Sequence, residues 1–391
     1  MKVLHTGTIE AKAGGVATCV YFMLKGLRLQ GCDAELFAYK PESNGKLVGE
    51  EVPVHYTRQP IKNHWNKLNY SKKYKKDLLA LGKYDIYHAN GIWLYDTYAF
   101  IDIARKQKKP YIIMPHGMLY PQDIVKSNRK LKNLSLKIRL LDDLNKAACV
   151  QTTCEEEMKH CRNLGIISLI AVIPNPIEIK EYKQEKKQKN KFCLGYIGRL
   201  SPRKNVEGLI YAWADLKKKC QIDNIYQNKF NESKLLIIGG GDNEYENFLK
   251  NEVKRLKLYN VEFTGFLSGE EKEKALTFVS VLAMPSEFEN FGMVIAEGLI
   301  RGIPCIATHG SPWEELNITN SGWWIPYNQQ ELNKTVFNAF NTNDSELCKM
   351  GQNGIELMKK NYSLESTSKK MIQMYNWIDK KEEKPNFIYT L

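Results

Sequence analysis

The sequence predicts an α/β protein with two parallel-sheet domains, and three observations carry this prediction. Short apolar runs alternate with amphipathic stretches along the whole chain, which is the pattern of strands connected by covering helices. The 391 residues are enough for two domains, each with its own core. A charged stretch with little apolar content, 177–191, separates the strand pattern into two series.

Each series contains six predicted strands bounded by turn residues or by a helix. The segment Pro174–Pro176 ends the first series, because proline cannot donate a ladder hydrogen bond. We therefore predict domains over 1–176 and 192–365, a linker over 177–191, and a C-terminal helix with its tail over 366–391. The predicted strands are Lys2–His5, Glu35–Tyr39, Asp85–Ala89, Tyr111–Met114, Cys149–Thr152, Leu169–Ile173, Phe192–Ile197, Leu235–Ile238, Val261–Phe263, Val279–Met284, Cys305–Ala307 and Trp323–Ile325.

Composition limits the classes of protein that fit the chain. With 43% hydrophobic residues and no apolar run near the length of a membrane span, the chain has a globular composition. The N-terminal segment Met1–His5 is too short and too soon polar for a signal peptide, so we expect a cytoplasmic location. The nine cysteines include no Cys-x-x-Cys pair, as expected of reduced, packed thiols. The cysteines and histidine of 149–161 lack zinc-ligand spacing, so we predict no metal site.

The net charge of +13 arises from 57 basic against 44 acidic residues, and basic residues concentrate at 62–83, 126–146 and 183–191. A basic surface attracts nucleic acid, an anionic membrane or a phosphorylated acceptor. Aromatic residues alternate with lysines in His64–Tyr74, which favours a lipid interface over a merely solvated face. No nucleic-acid recognition motif accompanies the charge. We therefore expect peripheral contact with an anionic membrane, at the inner face of the cell membrane, and no nucleic-acid partner.

The most specific chemistry lies in Ser286–Gly298, between a predicted buried strand and a predicted helix. Glu289 lies in the loop before this helix and Glu297 about one turn inside it, with Gly292 between them. Backbone N–H groups at a helix start bind negatively charged groups, and flanking carboxylates accept hydrogen bonds from hydroxyls. This combination suits a nucleotide sugar.

The same segment resembles the signature of the retaining nucleotide-sugar glycosyltransferases of family four, whose architecture is called GT-B. The resemblance implies two Rossmann-like, doubly wound domains that face a central cleft, and a C-terminal helix that crosses back to the first domain. It also implies that Glu289 lies at the sugar and that Glu297 holds the ribose hydroxyls. The residues that match the signature in register are Glu289, Phe291, Gly292, Glu297, Gly302 and Pro304.

Two further segments predict phosphate binding. Arg199 follows the strand Phe192–Ile197, and Lys204 lies near the start of the next helix, so both cations can converge on one anion at the sheet edge. Their spacing resembles the family's Gly-Arg-x-x-x-x-Lys element, in which both cations neutralise the departing diphosphate. In the first domain, a glycine pair ending at Gly15 begins a helix, where the backbone can approach a diphosphate.

The remaining site predictions come mainly from the resemblance. His116 follows a strand and resembles the histidine that lies beside the donor sugar's reacting carbon, whereas His88 and Asn90, on the same edge, are predicted to face the acceptor. The loops at Gly240 and Phe266 resemble elements that surround the nucleobase. The predicted catalytic residues are His116, Arg199, Lys204 and Glu289. The predicted donor-binding residues are Gly15, Arg199, Lys204, Gly240, Phe266, Asn290, Phe291, Gly292, Met293, Val294 and Glu297.

By this resemblance, the predicted enzyme is a retaining hexosyl- or N-acetylhexosaminyl-type transferase that uses a nucleotide diphosphate sugar as co-substrate and no cofactor. Protein cations neutralise the diphosphate and the chain has no Asp-x-Asp pair, so we expect the reaction to be independent of metal. The diphosphate itself takes the acceptor's proton. The expected acceptor is a saccharide or lipid-linked saccharide in surface polysaccharide or glycolipid biosynthesis.

Two alternatives remain open at the level of sequence. The same fold serves nucleotide-sugar epimerases and phosphorylases, and the basic charge also fits a non-catalytic binding protein for anionic lipid or nucleic acid. A nicotinamide-linked dehydrogenase is disfavoured, because no Gly-x-Gly-x-x-Gly follows the first strand. One departure from the family is Asn175-Pro176-Ile177, where relatives often have glycine in place of the proline.

Overall fold

The structure, a computed structural model, describes residues 1–10, 14–41, 49, 51–61, 66, 68–126, 128–180 and 191–391. These residues form two compact units, Met1–Glu178 with Asn361–Leu391 and Ile179–Lys360, which we call the N-terminal and C-terminal units. Most of the predicted linker lies outside the described residues. So do His64, Trp65 and Lys67 of the basic and aromatic stretch.

The N-terminal unit is built on an eight-stranded sheet in which seven strands are parallel. The strand order is β3-β2-β1-β4-β5-β6-β7-β14, so consecutive strands run outward in both directions from the neighbouring pair β1 and β4. The short β14 pairs antiparallel with β7. The strands are β1 (Lys2–Thr6), β2 (Asp33–Tyr39), β3 (Val54–Thr57), β4 (Ile86–Asn90), β5 (Tyr111–Met114), β6 (Cys149–Thr152), β7 (Ile170–Val172) and β14 (Ile388–Tyr389).

Helices cover both faces of this sheet, and the last of them returns from the C-terminal end of the chain. They are α1 (Gly15–Leu29), α2 (Lys72–Ala80), α3 (Tyr95–Lys106), α4 (Pro121–Lys126), α5 (Arg129–Ser135), α6 (Leu141–Asn145), α7 (Glu155–Asn163) and α16 (Leu364–Ile378), with a π-helical turn at Leu136–Leu140. Helix α16 packs on α1 so closely that a Cβ on Gly26 would lie 2.9 Å from the Leu364 carbonyl oxygen. Only glycine fits there without displacing α16. The return of the C-terminal helix to the first unit is therefore confirmed.

The C-terminal unit is built on a six-stranded, fully parallel sheet. Its order is β10-β9-β8-β11-β12-β13, which again runs outward from a central pair, here β8 and β11. The strands are β8 (Cys193–Ile197), β9 (Lys234–Ile238), β10 (Val261–Gly265), β11 (Val281–Met284), β12 (Cys305–Thr308) and β13 (Gly322–Ile325). The helices are α8 (Val206–Cys220), α9 (Asn224–Glu232), α10 (Asn243–Arg255), α11 (Gly269–Thr277), α12 (Met293–Leu299), α13 (Glu315–Ile318), α14 (Gln329–Asn341) and α15 (Asp344–Asn361), with a 3₁₀ turn at Pro202–Lys204.

The predicted fold class, two doubly wound α/β domains, is confirmed. The central strands are almost wholly buried, as expected where helices cover both faces of a parallel sheet. Sequence patterning missed β3, a four-residue edge strand with alternating polar residues, and β14, which has only two residues. Both depend on a neighbouring strand to set their register. Within the described ranges, no helix combines the length and apolarity that a membrane crossing requires.

Candidate active site

In the C-terminal unit, the predicted site lies where the strand order reverses. Ligands bind at this point in doubly wound sheets, because the loops after the two central strands diverge and leave a crevice. The loop after β8 contains Arg199 and Lys204, and the loop after β11 contains Glu289. The Glu287 N–H donates a 2.9 Å hydrogen bond to the Arg203 carbonyl, which ties the two loops together.

The structure brings Lys204 and Glu289 into direct contact. The Lys204 ammonium donates a hydrogen bond to Glu289 Oε1, and the two side chains are only 19% and 11% exposed. Arg199 lies in the same loop as Lys204, its side chain is exposed, and among the described residues it has no ion-pair partner. The Tyr196 hydroxyl bonds the Arg199 carbonyl at 2.9 Å, which holds this backbone in place. The site therefore offers one uncommitted cation and one cation already paired with an acid.

Gly310 allows the loop that contains Glu289 to pack closely against the loop after β12. The Glu289 N–H donates to the Gly310 carbonyl at 2.7 Å. A Cβ on Gly310 would lie 1.9 Å from the Glu287 carbonyl oxygen, far inside van der Waals contact. The position of Glu289 thus depends on a residue that follows β12, twenty-one positions away in sequence.

Helix α12 begins directly after this loop with its first N–H groups uncapped. Gly292 precedes it with φ +76°, a left-handed conformation that favours glycine, and no side chain bonds the first turn. The N–H groups of Met293 and Val294 are therefore oriented for a ligand. Trp313 supports the loop: its indole N–H donates to the Phe291 carbonyl at 2.5 Å and its ring lies 5.2 Å from the Phe291 ring. No motif in the sequence predicts this support from Trp313.

Glu297 lies on the second turn of α12 and is also paired. Lys272 of α11 donates to Glu297 Oε2 at 2.6 Å, and Arg301 donates to the Glu297 carbonyl at 2.5 Å. Arg301 in turn donates from Nε and Nη2 to the two carboxylate oxygens of Glu273 in α11. These bonds fix the end of α12 to α11. Lys272 was missed, because it lies among other charged residues on an exposed helix and no motif distinguishes it.

The two residues predicted near the nucleobase follow β9, which pairs with β8, and β10, which pairs with β9 at the edge of the sheet. Gly240 has open space where a Cβ would stand, and Phe266 is 81% exposed. The Gly239 N–H donates to the Gly265 carbonyl at 2.8 Å, which joins the two loops. An exposed aromatic ring at the ligand-binding edge of the sheet is available for stacking.

In the N-terminal unit, Gly15 begins α1 after Gly14, which has φ +65°. The first helical hydrogen bond runs from the Thr18 N–H to the Gly14 carbonyl at 3.2 Å. No acidic residue lies in the first turn and no side-chain cap bonds it. The N–H groups of α1 that come before the Thr18 N–H are therefore suited to bind an anion.

The three predicted polar residues of this unit belong to one buried cluster at the reversal point between β1 and β4. His116, His88 and Asn90 are 8%, 0% and 7% exposed. His116 Nε2 lies 3.1 Å from Asn90 Oδ1, and the His88 ring stacks on His5 with centroids 4.5 Å apart. The Tyr375 hydroxyl, from α16, lies 2.8 Å from His88 Nδ1 and 3.1 Å from His5 Nε2. His88 is thus enclosed in the core, and its Nε2 has no hydrogen-bond partner among the described residues.

Donor and acceptor matching assigns the protons in this cluster. The Asn90 amide donates to a β1 carbonyl at 2.9 Å and to His5 Nδ1 at 3.4 Å, so His5 carries its proton on Nε2. His5 then donates to the Tyr375 hydroxyl, which donates to His88 Nδ1. Asn90 Oδ1 can only accept, so His116 donates from Nε2 and keeps Nδ1 as an acceptor.

Burial keeps these histidines neutral. It lowers the pKa of His5 to about 3 and the pKa of His116 to about 4. Burial, with the neighbouring histidine charges, also holds the pKa of His88 well below its ordinary value. His116 has φ +54°, and the next residue's N–H donates to the buried Glu157 carboxylate at 2.5 Å, which fixes this left-handed turn. Burial raises the pKa of Glu157, while hydrogen bonds from backbone N–H groups oppose the rise.

Across the described residues, no three His, Cys, Asp or Glu side chains are grouped as metal ligands would be.

Two family models match the chain, and together they span nearly all of it. The model described as Glycosyl transferases group 1 matches residues 178–357, which include the paired acids and cations of the C-terminal unit. The model described as Glycosyltransferase Family 4 matches residues 13–181.

Two relatives have names that describe glycosyl transfer. An uncharacterized glycosyltransferase of Methanocaldococcus jannaschii is 24% identical over 274 residues, which cover 64% of this chain and 64% of that relative, less than two thirds of its length. The O-antigen biosynthesis glycosyltransferase WclY of Escherichia coli is 35% identical over 97 residues, or 25% of this chain and 27% of that protein.

Among solved structures, Anabaena HepE in complex with UDP and glucose has a similar fold. The TM-score is 0.70 at 18% sequence identity, and the superposition covers 96% of this chain and all of the other. At this identity the likeness concerns the fold.

Proposed function

We propose that this chain, which the family models Glycosyl transferases group 1 and Glycosyltransferase Family 4 match over residues 178–357 and 13–181, is a glycosyltransferase that catalyses the following reaction. The enzyme transfers a hexosyl or N-acetylhexosaminyl group from a nucleoside diphosphate sugar to a hydroxyl of a saccharide or lipid-linked saccharide. The anomeric configuration is retained. The name of the O-antigen relative supports a place in surface polysaccharide biosynthesis.

The observation that carries this proposal is the Lys204–Glu289 pair beside exposed Arg199, where the strand order of the C-terminal sheet reverses. Cleavage of the donor builds negative charge on the departing diphosphate. Cations and N–H groups fixed in advance stabilise that charge without reorganising. Arg199, Lys204 and the first N–H groups of α12 supply them, and the complex of HepE with UDP supports a nucleotide as the ligand.

The two acids keep acceptor capacity for the rest of the donor. Lys204 occupies one oxygen of Glu289 and Lys272 one oxygen of Glu297, so each carboxylate retains a second oxygen for hydroxyl groups. Glu289 orients the sugar and stabilises the positive charge that develops on its ring. Glu297 holds the ribose. Gly240 and Phe266 flank the nucleobase.

The N-terminal unit contributes neutral groups. His116 is neutral above about pH 4, and its Nδ1 accepts a hydrogen bond from a hydroxyl of the donor sugar. The uncapped start of α1 at Gly15 donates to the diphosphate. The leaving diphosphate takes the acceptor's proton, so the proposed reaction requires neither a metal ion nor a side chain that acts as a general base.

The proposal is tested by incubating the purified protein with a panel of uridine and guanosine diphosphate sugars and measuring release of the nucleoside diphosphate. Without acceptor, we expect slow hydrolysis of one donor, and with the correct acceptor a rise in rate and a product of retained configuration by NMR. Glu289→Gln lowers this activity about 10²- to 10³-fold, by removing charge at the reacting sugar. Glu287→Gln, an exposed acid two positions away, is the matched control and leaves the rate unchanged.

Different outcomes would contradict different parts of the proposal. Conversion of one nucleotide sugar into another without release of nucleotide would indicate an epimerase. Equal losses of activity in Glu289→Gln and Glu287→Gln would show that Glu289 has no specific role in the reaction. An inverted product would exclude the retaining mechanism.

A further inference from the structure

The N-terminal unit has an apolar helical face that nothing within the described residues covers. Helix α5 contains no buried residue, and Leu131, Leu134 and Ile138 are 54%, 54% and 72% exposed. Their spacing of three and four positions places them on one side of the segment formed by α5 and the π-helical turn. Val125 of the preceding helix is also 54% exposed. Scattered apolar residues are ordinary on surfaces, but a row along one helix face indicates a binding surface.

The opposite side of this segment is firmly attached to the unit. Leu140 is fully buried, and Ser135 Oγ lies 2.6 Å from the Tyr98 hydroxyl. Arg139 bonds Asp143 at 2.9 Å and Asp102 at 2.5 Å. The exposed row is therefore the outer face of an anchored helix.

The loops that precede α2 and α3 also expose apolar side chains. Lys132 of α5 lies 5.4 Å from the centre of the Trp93 ring, which links α5 to the loop after β4. In that loop Leu94 is 40% exposed, and the neighbouring Tyr95 N–H donates to the carbonyl of Leu68, itself 56% exposed. The surface thus combines a helix face with the tips of two loops.

The charge around this face is of one sign. Between Asp123 and Asp142 the chain has six basic residues and no acid, and Arg129, Lys130 and Lys137 have exposed side chains. Basic side chains beside an apolar helix face are the features of a helix that lies in the interface of an anionic bilayer, with apolar groups inserted and cations at the headgroups.

We propose that this face, which we call the α5 face and define as Val125, Leu131, Leu134 and Ile138 with Arg129, Lys130 and Lys137, docks the enzyme on an anionic lipid bilayer. The helix lies in the plane of the surface. Insertion of the apolar row supplies affinity, and the cations supply selectivity for anionic lipid. This inference does not depend on the proposed reaction, since vesicle binding is measured without any substrate.

The test is co-sedimentation of the full chain with extruded vesicles of phosphatidylcholine containing about one third phosphatidylglycerol, compared with pure phosphatidylcholine. We expect binding to the anionic vesicles that weakens as salt is raised. The triple variant Leu131→Ser/Leu134→Ser/Ile138→Ser lowers the partition coefficient at least about 10-fold, because three apolar side chains no longer insert. Lys130→Glu/Lys137→Glu lowers binding to anionic vesicles at least about 10-fold by charge repulsion.

The matched control is Ile222→Ser/Ile225→Ser, which removes side chains that are 88% and 78% exposed on the C-terminal unit, and we expect it to bind vesicles like the wild type. All variants alter exposed positions, and unchanged thermal unfolding and circular dichroism check that they are folded. The proposal is overturned if the wild type does not sediment with anionic vesicles, or if the triple variant sediments as well as the wild type. It is also overturned if the wild type is a dimer that the triple variant converts to a monomer, since the face would then join two copies of the chain.

Discussion

Six strands of the N-terminal unit follow the same order as the six strands of the C-terminal unit, but the two units carry opposite chemistry at the point where that order reverses. In the C-terminal unit, the loops after β8 and β11 hold the charged residues Arg199, Lys204 and Glu289. In the N-terminal unit, β1 and β4 hold the buried, neutral side chains of His5, His88 and Asn90. The same topology thus provides an edge for an anionic ligand in one unit and an uncharged hydrogen-bonding edge in the other. The fold sets where a site forms, and the residues set its chemistry.

The difference has a physical reason. The charged residues of the C-terminal unit lie on loops, where Arg199 reaches solvent and Lys204 is matched by an acid. His5 and His88 of the N-terminal unit contact Tyr375 of α16, and burial drives both imidazoles to the neutral form. We therefore propose that the diphosphate binds mainly to the C-terminal unit and that sugar hydroxyls bind to the N-terminal unit.

The largest effect is expected on catalysis, at the charged edge of the C-terminal sheet that contains Arg199, Lys204 and Glu289. Lys204→Ala removes a cation from the departing diphosphate and leaves the mostly buried Glu289 unpaired, so kcat/KM falls about 10³-fold. Steady-state release of nucleoside diphosphate measures it. Lys218→Ala, at an exposed position of α8, is the control and leaves the rate unchanged. A similar loss in both variants would mean that the total positive charge of the protein, and not Lys204 itself, supports turnover.

The next largest effect is expected on the free energy of unfolding, and it concerns the uncharged edge of the N-terminal sheet that contains His5, His88 and Asn90. Tyr375→Phe removes the hydroxyl that joins His5 to His88 and leaves two buried ring nitrogens without partners, at about 1–3 kcal/mol each. Urea unfolding measures the loss. Tyr389→Phe, whose hydroxyl makes only a 3.5 Å contact with Glu155, should change stability by less than about 0.5 kcal/mol. Equal stability of Tyr375→Phe and wild type would show that the cluster does not hold α16.

A third prediction separates the support of Glu289 from the support of the sheet. Gly310→Ala places a methyl group against the Glu287 carbonyl and displaces the Glu289 loop, so kcat/KM falls by up to about 10²-fold. Gly322→Ala creates a similar clash, 2.1 Å from the Cys305 carbonyl, at the start of β13. Both variants should lower the melting temperature, but only Gly310→Ala should lower activity per folded molecule. If activity per folded molecule falls equally in both variants, the position of the Glu289 loop has no specific effect on catalysis.

The smallest effect is the pH dependence of stability contributed by one histidine. His5 has an unfolded pKa near 6.5 and a folded pKa of about 3, so below pH 6.5 the unfolded chain binds more protons and stability falls as pH falls. The slope is about 1.4 kcal/mol per pH unit for each such histidine. The raised pKa of Glu157 acts in the opposite direction.

Urea unfolding at pH 7 and pH 5 measures this dependence. His5→Gln should show a shallower loss than the wild type, and His160→Gln, which alters a partly exposed histidine, should match the wild type. An unchanged slope in His5→Gln would mean that His5 is already protonated or solvated in the folded protein.

Much of the fold followed from the sequence, because apolar runs and their turn residues mark buried parallel strands directly. The positions of Arg199, Lys204, Glu289 and Glu297 at one sheet edge followed from the same reasoning. What escaped prediction depends on contacts between segments distant in sequence. Trp313 supports Phe291 from a later loop, Lys272 pairs with Glu297 from a neighbouring helix, and Tyr375 reaches the histidines from the far end of the chain. No local pattern specifies such partners.

The most direct test of the charged edge is calorimetric titration of the protein with nucleoside mono- and diphosphates of uracil and guanine. We predict that one diphosphate binds more tightly than its monophosphate, and that this preference disappears in Arg199→Ala/Lys204→Ala, with at least about a 10²-fold loss of diphosphate affinity. Equal affinity of the double variant and the wild type for the diphosphate, or no binding of either diphosphate to the wild type, would contradict the assignment of diphosphate binding to the C-terminal unit.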